Sequence, residues 1–492
     1  MRNHSRLYAG RALGALAATV SLASLSSALA PACSSATSPA TVTPDSGTKS
    51  SPDAGKPAEA SVVANDAGQK LKPFPVGGPA DPGAGGIYVT ISGESNALTG
   101  YPFPPDNFTS DTYMFDGWEF QIEAYIVIVD KVALWADPNL SATNQSVHGP
   151  QVAHLDGPFV VDLHKGGALV GQGGYPEEST PIGVITNQND NGGAAFDPTT
   201  TYGFGFSTIP AGPIAGYTGE VAGYNAYNVN LDETEAADYA YMVANGASVY
   251  YRGHAVWKGN DPSNPYKCTE TNAGSGADAG LLHLDGGPDG GVLTYTAEGG
   301  YNFAGEPESG MNFRFAFSTP TNYVNCQNYT AMGVGIGGES NPRGIQVSQS
   351  GSVFAQVTVH MDHPFWESFA EDTPVHWDQI AAQYVGVTPG DGGLIESHID
   401  DFHGVPFQGF TDHKGTPIPW RNCSGPNYTP PGNGQMSFST LTVPVNPHAS
   451  SPAEAIRDYY DYIRYTQSTQ GHLNSQGLCF IDRQFPSPPG GS

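Results

Sequence analysis

Alternation of apolar and polar residues runs through the folded part of this chain. Trp118, Phe120, Ile122 and Ala124 interleave with Glu119, Gln121 and Glu123, the period of two of a half-buried strand. The segment continues as Tyr125-Ile126-Val127-Ile128-Val129, apolar on both faces, which predicts a strand in the middle of a sheet. Further strands are predicted at 86–91, 159–163, 248–256, 311–317, 346–361 and 435–443. Helical spacing is confined to two stretches. Asp232 to Asn245 is acidic at its start with small residues inside, and Ser451 to Thr469 has Pro452 at the first helical position and Ile456, Tyr459, Tyr460 and Ile463 on one face. Many strands, few helices and no strand-helix alternation predict an all-β fold. The expected form is a β-sandwich or two packed antiparallel sheets, with a short C-terminal helix and few other helices.

The N-terminus departs from this pattern. Arg2, Arg6 and Arg11 precede an apolar run, and Ala30-Pro31-Ala32 leads to Cys33, the layout of a cleavable export signal over 1–32. Cutting after Ala30 would leave Pro31 next to the scissile bond, so cleavage before Cys33 is expected, with Cys33 lipidated. Residues 33–78, made largely of Ser, Thr, Pro, Ala, Asp and Gly, are expected to be a disordered tether. A β-rich region at 79–270 is followed by a low-complexity insertion at 271–300. A second β-rich region at 301–480 carries the C-terminal helix and is expected to pack with the first as one unit.

Cysteine number agrees with export. Five cysteines become an even set once Cys33 is assigned to the lipid, leaving Cys268, Cys326, Cys423 and Cys479 for two disulfides. Three pairings are possible, and nearest-neighbour closure, Cys268 with Cys326 and Cys423 with Cys479, is the one expected here. The formal charge of −28 becomes −31 without the leader's three arginines, which argues against a nucleic-acid partner. Expected partners are the membrane, through the lipid on Cys33, and an envelope protein or glycan. The expected location is the cell envelope, as an outer-membrane or cell-surface lipoprotein, with simple secretion as the alternative.

One segment concentrates candidate chemistry. From Val353 the apolar positions are Val353, Ala355, Val357, Val359 and Met361, and the polar ones are Gln356, Thr358, His360 and Asp362. His360 and Asp362 therefore share a strand face, about 7 Å apart at their Cα atoms. His363 follows at the Pro364 break, and His376 returns soon after. Imidazoles with an adjacent carboxylate suit a transition metal, so His360, Asp362, His363 and His376 are the expected ligands. A second tier comprises His398, Asp400, His403 and His164. Copper is the expected ion, with zinc or calcium as alternatives; the Asn187 to Gly192 loop supplies the faint calcium signal.

The DGWEF strand at 116–120, the GPFVVDLHKGG turn at 157–167 and the VHMDHPFWESF segment at 359–369 resemble, in their order, periplasmic copper-binding β-sandwich proteins associated with methanobactin uptake. The chain as a whole looks like predicted bacterial surface lipoproteins. The first resemblance implies copper held by His360, His363 and His376, with Trp366 or Trp377 as an oxidisable neighbour. Two other classes stay open. A non-catalytic glycan- or protein-binding surface module would use exposed tyrosines such as Tyr459, Tyr460, Tyr462 and Tyr465. An extracellular hydrolase would need Gly93-Glu94-Ser95-Asn96-Ala97 to form a nucleophile elbow, but Gly100 to Pro105 (GYPFPP) is expected to forbid the helix this motif must open, leaving Ser95 in a turn. HExxH is absent, and an enzyme is the less favoured class.

The leader reading is checked by fractionation. Wild-type protein is expected in the membrane fraction with an acylated N-terminal Cys33, and Cys33→Ser is expected in the soluble fraction. Mass spectrometry showing an unmodified Cys33 on membrane-derived protein would refute lipidation.

Overall fold

The computed structural model describes residues 71–108, 113–212, 226–266, 268–271, 293–296, 300–303, 310–367, 373–387, 395–405, 410–411, 417–418, 420–425, 456 and 458–485. They fall in one compact unit, Pro57–Ser492. The leader, Cys33, most of the tether, residues 272–292, Asp372, Asp412, His413, the strand expected at 435–443 and the expected start of the C-terminal helix lie outside the described residues.

The fold is all-β, built from two mixed sheets with few helices. The larger has eleven strands. Its main path uses β1 (Lys72–Pro73), β3 (Trp118–Trp135), β5 (Phe159–Asp162), β7 (Gly203–Thr208), β8 (Tyr227–Asn228), β11 (Thr321–Val324) and β16 (Phe480–Arg483), in the order β1-β8-β5-β3-β7-β11-β16. Off this path, β4 (Gln151–His154) and β9 (Val249–Trp257) pair with β3. Beyond β9 come β10 (Met311–Phe317) and then β13 (Glu396–His398). The smaller sheet has five strands: β15 (Gly477–Leu478), β14 (Gly471–Leu473), β12 (Val353–Val359), β2 (Ile87–Ser92) and β6 (Thr180–Ile185), in that order.

Strand β3 is the structural axis. Its residues Tyr125 to Val129 are fully buried, because both faces are covered. On one side Tyr125, Val127 and Val129 share a core with Ile87, Val89 and Ile91 of β2 and with Val357 and Val359 of β12. On the other, Ala124, Ile126 and Ile128 pack with Tyr239 and Met242 of α2 (Ala236–Asn245). Burying each such valine or isoleucine contributes about 1.5–3 kcal/mol, which is why the uninterrupted apolar run marks the centre of the sheet. Helix α2 is preceded by a capping box in which Asp232 and Glu235 satisfy each other's backbone N–H groups.

The sheets are mixed where purely antiparallel ones were expected. β12 runs parallel to β2, and β10 parallel to β13, over sequence separations no hairpin could span. The remaining helices are short: α1 (Glu94–Thr99), α3 (Asp378–Ala382) and α4 (Tyr459–Gln467). The C-terminal helix α4 has Asp458 as its N-cap, accepting from the Asp461 N–H.

Nearest-neighbour cysteine pairing is overturned. The bonds are Cys268–Cys423 and Cys326–Cys479, closing separations of 155 and 153 residues. The reason lies in the strand order. Cys326 follows β11, Cys479 precedes β16, and those two strands are adjacent antiparallel neighbours. A non-reducing peptide map is expected to recover these two linkages. The Cys326→Ser, Cys479→Ser double variant is expected to lose about 2–4 kcal/mol of stability, from the loop-closure entropy returned to the unfolded chain, read from the denaturant midpoint.

Candidate metal centre

The site is built on one strand register. Strands β12 and β14 are antiparallel neighbours, with Val357 opposite Leu473, Thr358 opposite His472 and Val359 opposite Gly471. Residues paired in this way project to the same face, and a residue two further along lies diagonally within reach. His360, two beyond Thr358, therefore meets His472. Their rings stack at 4.2 Å between centroids with 13° between planes. The His360 N–H donates to the Gln470 carbonyl at 3.0 Å, which carries the pairing one step past the end of the strand.

The third ring arrives by a tight turn. His363–Phe365 forms a single 3-10 turn with Pro364 inside it. This places the His363 ring 5.4 Å from the rings of both His360 and His472, nearly perpendicular to them. One ring nitrogen from each of His360, His363 and His472 lies within 4.8 Å of the others, and all three residues are buried. His363 is held on its far side: Nδ1 contacts Thr469 Oγ1 at 2.6 Å, and the ring stacks on Trp366 at 3.7 Å. In turn, Trp366 Nε1 donates to Asp362 Oδ2 at 2.9 Å and its carbonyl accepts from the Tyr462 hydroxyl at 2.7 Å. Tyr125 reaches across from the large sheet and donates to the Val359 carbonyl at 3.1 Å.

His363 and His472 are held uncharged with lone pairs to spare. Burial, reinforced by mutual repulsion within the group, pushes the proton affinity of His363 and His472 well below the ordinary histidine value. Nε2 of His363 and both nitrogens of His472 make no hydrogen bond of normal geometry among the described residues. Main-chain groups of Thr466 lie near His363, and those of Thr469 and Gln476 near His472, and they raise proton affinity somewhat. That field is weaker than the burial. An orphaned buried polar atom costs about 1–3 kcal/mol, and neutral imidazole nitrogens are the form that ligates a metal.

A cavity of about 300 Å³ opens beside the triad, bordered by Glu94, Ser95, Tyr329, His360, Asp362 and Ser475. Glu94 sits at a sharp bend between β2 and α1 with φ of +60°, and Ser475 in the β14–β15 turn has φ of +76°. The two are joined, Ser475 Oγ donating to Glu94 Oε1 at 2.7 Å. His360 Nε2 lies 3.1 Å from the Ser475 carbonyl and 3.6 Å from Glu94 Oε1. Behind Glu94, its N–H donates to Ser92 Oγ, which donates to Glu178 Oε1 at 2.5 Å. Burial raises the carboxyls of both Glu178 and Asp362 above the usual range, opposed for Asp362 by His360 and by the Trp366 hydrogen bond. Contrary to the expectation from GYPFPP, a helix does form here: α1 ends just before Gly100. Its bend residue is Glu94, and Ser95 belongs to the first helical turn rather than to a turn.

Of the expected ligands, the structure brings together His360 and His363, with Asp362 beside them: its Oδ1 lies 4.0 Å from His363 Nε2. His376 is corrected. Its Nε2 contacts Glu367 Oε2 at 2.9 Å and its Nδ1 faces Asp116 Oδ2 at 3.8 Å, because the chain reverses at β-bridges from Met114 and Trp366 to Val375 and carries His376 to a different buried cluster. His472 takes its place. The second tier is likewise dispersed. His398 contacts Glu396 and the Tyr241 hydroxyl, His403 stacks on Tyr460 with Asp400 at 3.9 Å, and the Nδ1 of His164 bonds the Ala97 carbonyl. In the loop read for calcium, Asp190 is engaged by Gln151 and His154. Trp366, not Trp377, is the indole at the triad; Trp377 packs among Phe120, Phe313 and Phe315. Gly471-His472-Leu473-Asn474-Ser475-Gln476-Gly477 held the missed signal, an alternating stub followed by turn residues, which is a hairpin pattern.

The His376 cluster yields a pH signature. Burial opposes its charge, but Glu367 and the charges of Asp116 and Asp378 outweigh this and leave its pKa above the ordinary 6.5. The stability it contributes is therefore fully present below pH 6.5 and lost as pH rises through the raised value. In urea titrations across pH 6 to 9, His376→Gln is expected to lose most stability at the acid end and to converge on wild type at the alkaline end. A gap independent of pH would show that His376 is neutral throughout.

No family model, curated protein or solved structure matches this chain, so the geometry above stands alone as the ground for function.

Proposed function

We propose that this protein binds one transition-metal ion, copper before zinc, through His360, His363 and His472, and that it does so in the cell envelope, anchored by the lipid on Cys33. The observation that carries the reading is the convergence of three buried ring nitrogens within 4.8 Å, two of the rings having nitrogens with no hydrogen bond of normal geometry. Three imidazoles are a donor set for copper, zinc, iron or nickel, and calcium is disfavoured because it requires six to eight oxygens. Among the divalent first-row ions copper binds a nitrogen site most tightly, which supports copper first. Loading requires the His360 and His472 rings to turn out of their parallel stack, since stacked rings do not aim their lone pairs at one point.

The envelope location is supported by the leader's layout and by the two disulfides, which persist in oxidising compartments. Among the described residues no helix is long and apolar enough to cross a membrane.

Elemental analysis of protein isolated from its native envelope is expected to find about one copper per chain. Replacing His363 and His472 together by Ala is expected to reduce this at least about tenfold, with the disulfide map unchanged. Wild-type protein that holds no metal from its envelope and shows no saturable uptake of Cu²⁺ or Zn²⁺ would sink the reading.

A further inference from the structure

The triad is closed on nearly all sides. Side-chain exposure is 0% for His363 and 7% for His360, and the whole of His472 is 2% exposed. An ion must nevertheless reach it. Two residues border both the cavity and the triad: His360, and Asp362, whose Oδ1 is 4.0 Å from the buried His363 Nε2. In the wall of the same cavity the Glu94 carboxylate lies 3.6 Å from His360 Nε2, with 21% of its side chain exposed. The cavity is thus lined by a triad ring and by two part-exposed carboxylates, Glu94 and Asp362.

The backbone at this place is unusual in a way the fold does not require. Glu94 and Ser475 both hold left-handed conformations that L-residues with long or branched side chains adopt reluctantly, and they hydrogen-bond each other. Strained residues persist where surrounding structure fixes them, and they cluster at sites that act on ligands. The Ser92 hydroxyl locks the bend from behind by accepting the Glu94 N–H.

We propose that this cavity is the route by which the metal ion reaches the triad, with the part-exposed carboxylates of Glu94 and Asp362 drawing the cation from solvent and handing it to His360 and His363. The route rests on the metal-binding reading above. An anionic group in a recess raises the local concentration of cations and speeds their arrival by tenfold or more, and a carboxylate replaces part of the hydration shell that an ion must shed before three buried imidazoles take it. A group that touches the ion only in transit alters arrival and departure together, so its mark is kinetic.

The test is stopped-flow mixing of the metal-free full chain with Cu²⁺, read by quenching of Trp366, which stacks on His363 at 3.7 Å; loss of the signal in Trp366→Phe assigns it. Glu94→Gln keeps the acceptor for Ser475 and removes the charge. Its association rate constant is expected to fall about tenfold, while the dissociation constant weakens less than threefold. Ser95→Trp, at a half-buried position lining the cavity, is expected to obstruct it and slow loading without changing stoichiometry, and it covers the case in which Glu94→Gln does not fold. Wild-type loading rates in both variants overturn the route and leave the metal reading intact. A loss of affinity in Glu94→Gln as large as its loss of rate also overturns it, because Glu94 would then belong to the bound ion's own shell. Absence of any saturable quench in wild type, with no metal retained on dialysis, removes the metal reading and the route with it.

Discussion

The antiparallel pairing of β12 with β14 is the constraint on which the site depends. Because successive side chains on a strand alternate between faces, a slip of one residue would carry the His472 ring away from His360. Several independent features fix the register. The β14–β15 hairpin turns through Asn474 and Ser475, both with positive φ. The Asn474 side chain accepts from the Gln356 N–H, and the Ser475 N–H donates to Thr358 Oγ1. Just beyond, Cys479 is tied to Cys326. The hairpin is therefore tied to β12 by side chains on its own turn and to the large sheet by a covalent bond.

That same register explains why the polar side of β12 faces no water. Gln356 and Thr358 are fully buried, Gln356 Oε1 accepting from the Gln172 N–H and its amide donating to Thr358. A polar stripe on a strand ordinarily marks a solvated face. Here a loop and a hairpin cover it, and the polar atoms are consumed in local hydrogen bonds until the stripe reaches His360. What begins as a satisfied polar layer ends in a group of imidazoles whose hydrogen-bonding capacity is only partly used.

Much of the fold was legible because it follows from local pattern. The Trp118 to Ala124 alternation predicted a strand and the continuous apolarity of Tyr125 to Val129 placed it centrally, and the Met311 to Phe317 strand falls on the residues expected for it. The helix within Asp232 to Asn245 was legible from its acidic start and small residues, and the capping box at Asp232 is what the structure adds. Failures came where distant segments decide the outcome. Parallel pairing of β12 with β2 joins residues far apart in sequence, and both disulfides follow that long-range order rather than proximity along the chain. At the site, His360 and His363 were found because they share one short segment. His472 lies more than a hundred residues away on a strand three residues long, where period-two alternation has almost nothing to act on. His376 was misassigned for the converse reason: closeness in sequence was read as closeness in space.

Whether a histidine is there for architecture or for a ligand can be argued from what its nitrogens do. His376 contacts Glu367, His254 bonds Asn312, and His154 lies between Asp156 and Asp190. Each is a histidine with a polar side chain for a partner. His472 differs: it is buried, faces two other imidazoles, and neither nitrogen makes a hydrogen bond of normal geometry. A purely structural role at this position would be served better by an apolar residue of similar volume, which would avoid a desolvation cost of about 1–3 kcal/mol for each orphaned atom. The cost is borne by His363 and His472, beside a strained backbone at Glu94 and an acidic recess. Coordination would repay part of it, since a bound ion supplies the partner that the free lone pair of each of these two rings lacks, and stability would then have been given up for affinity.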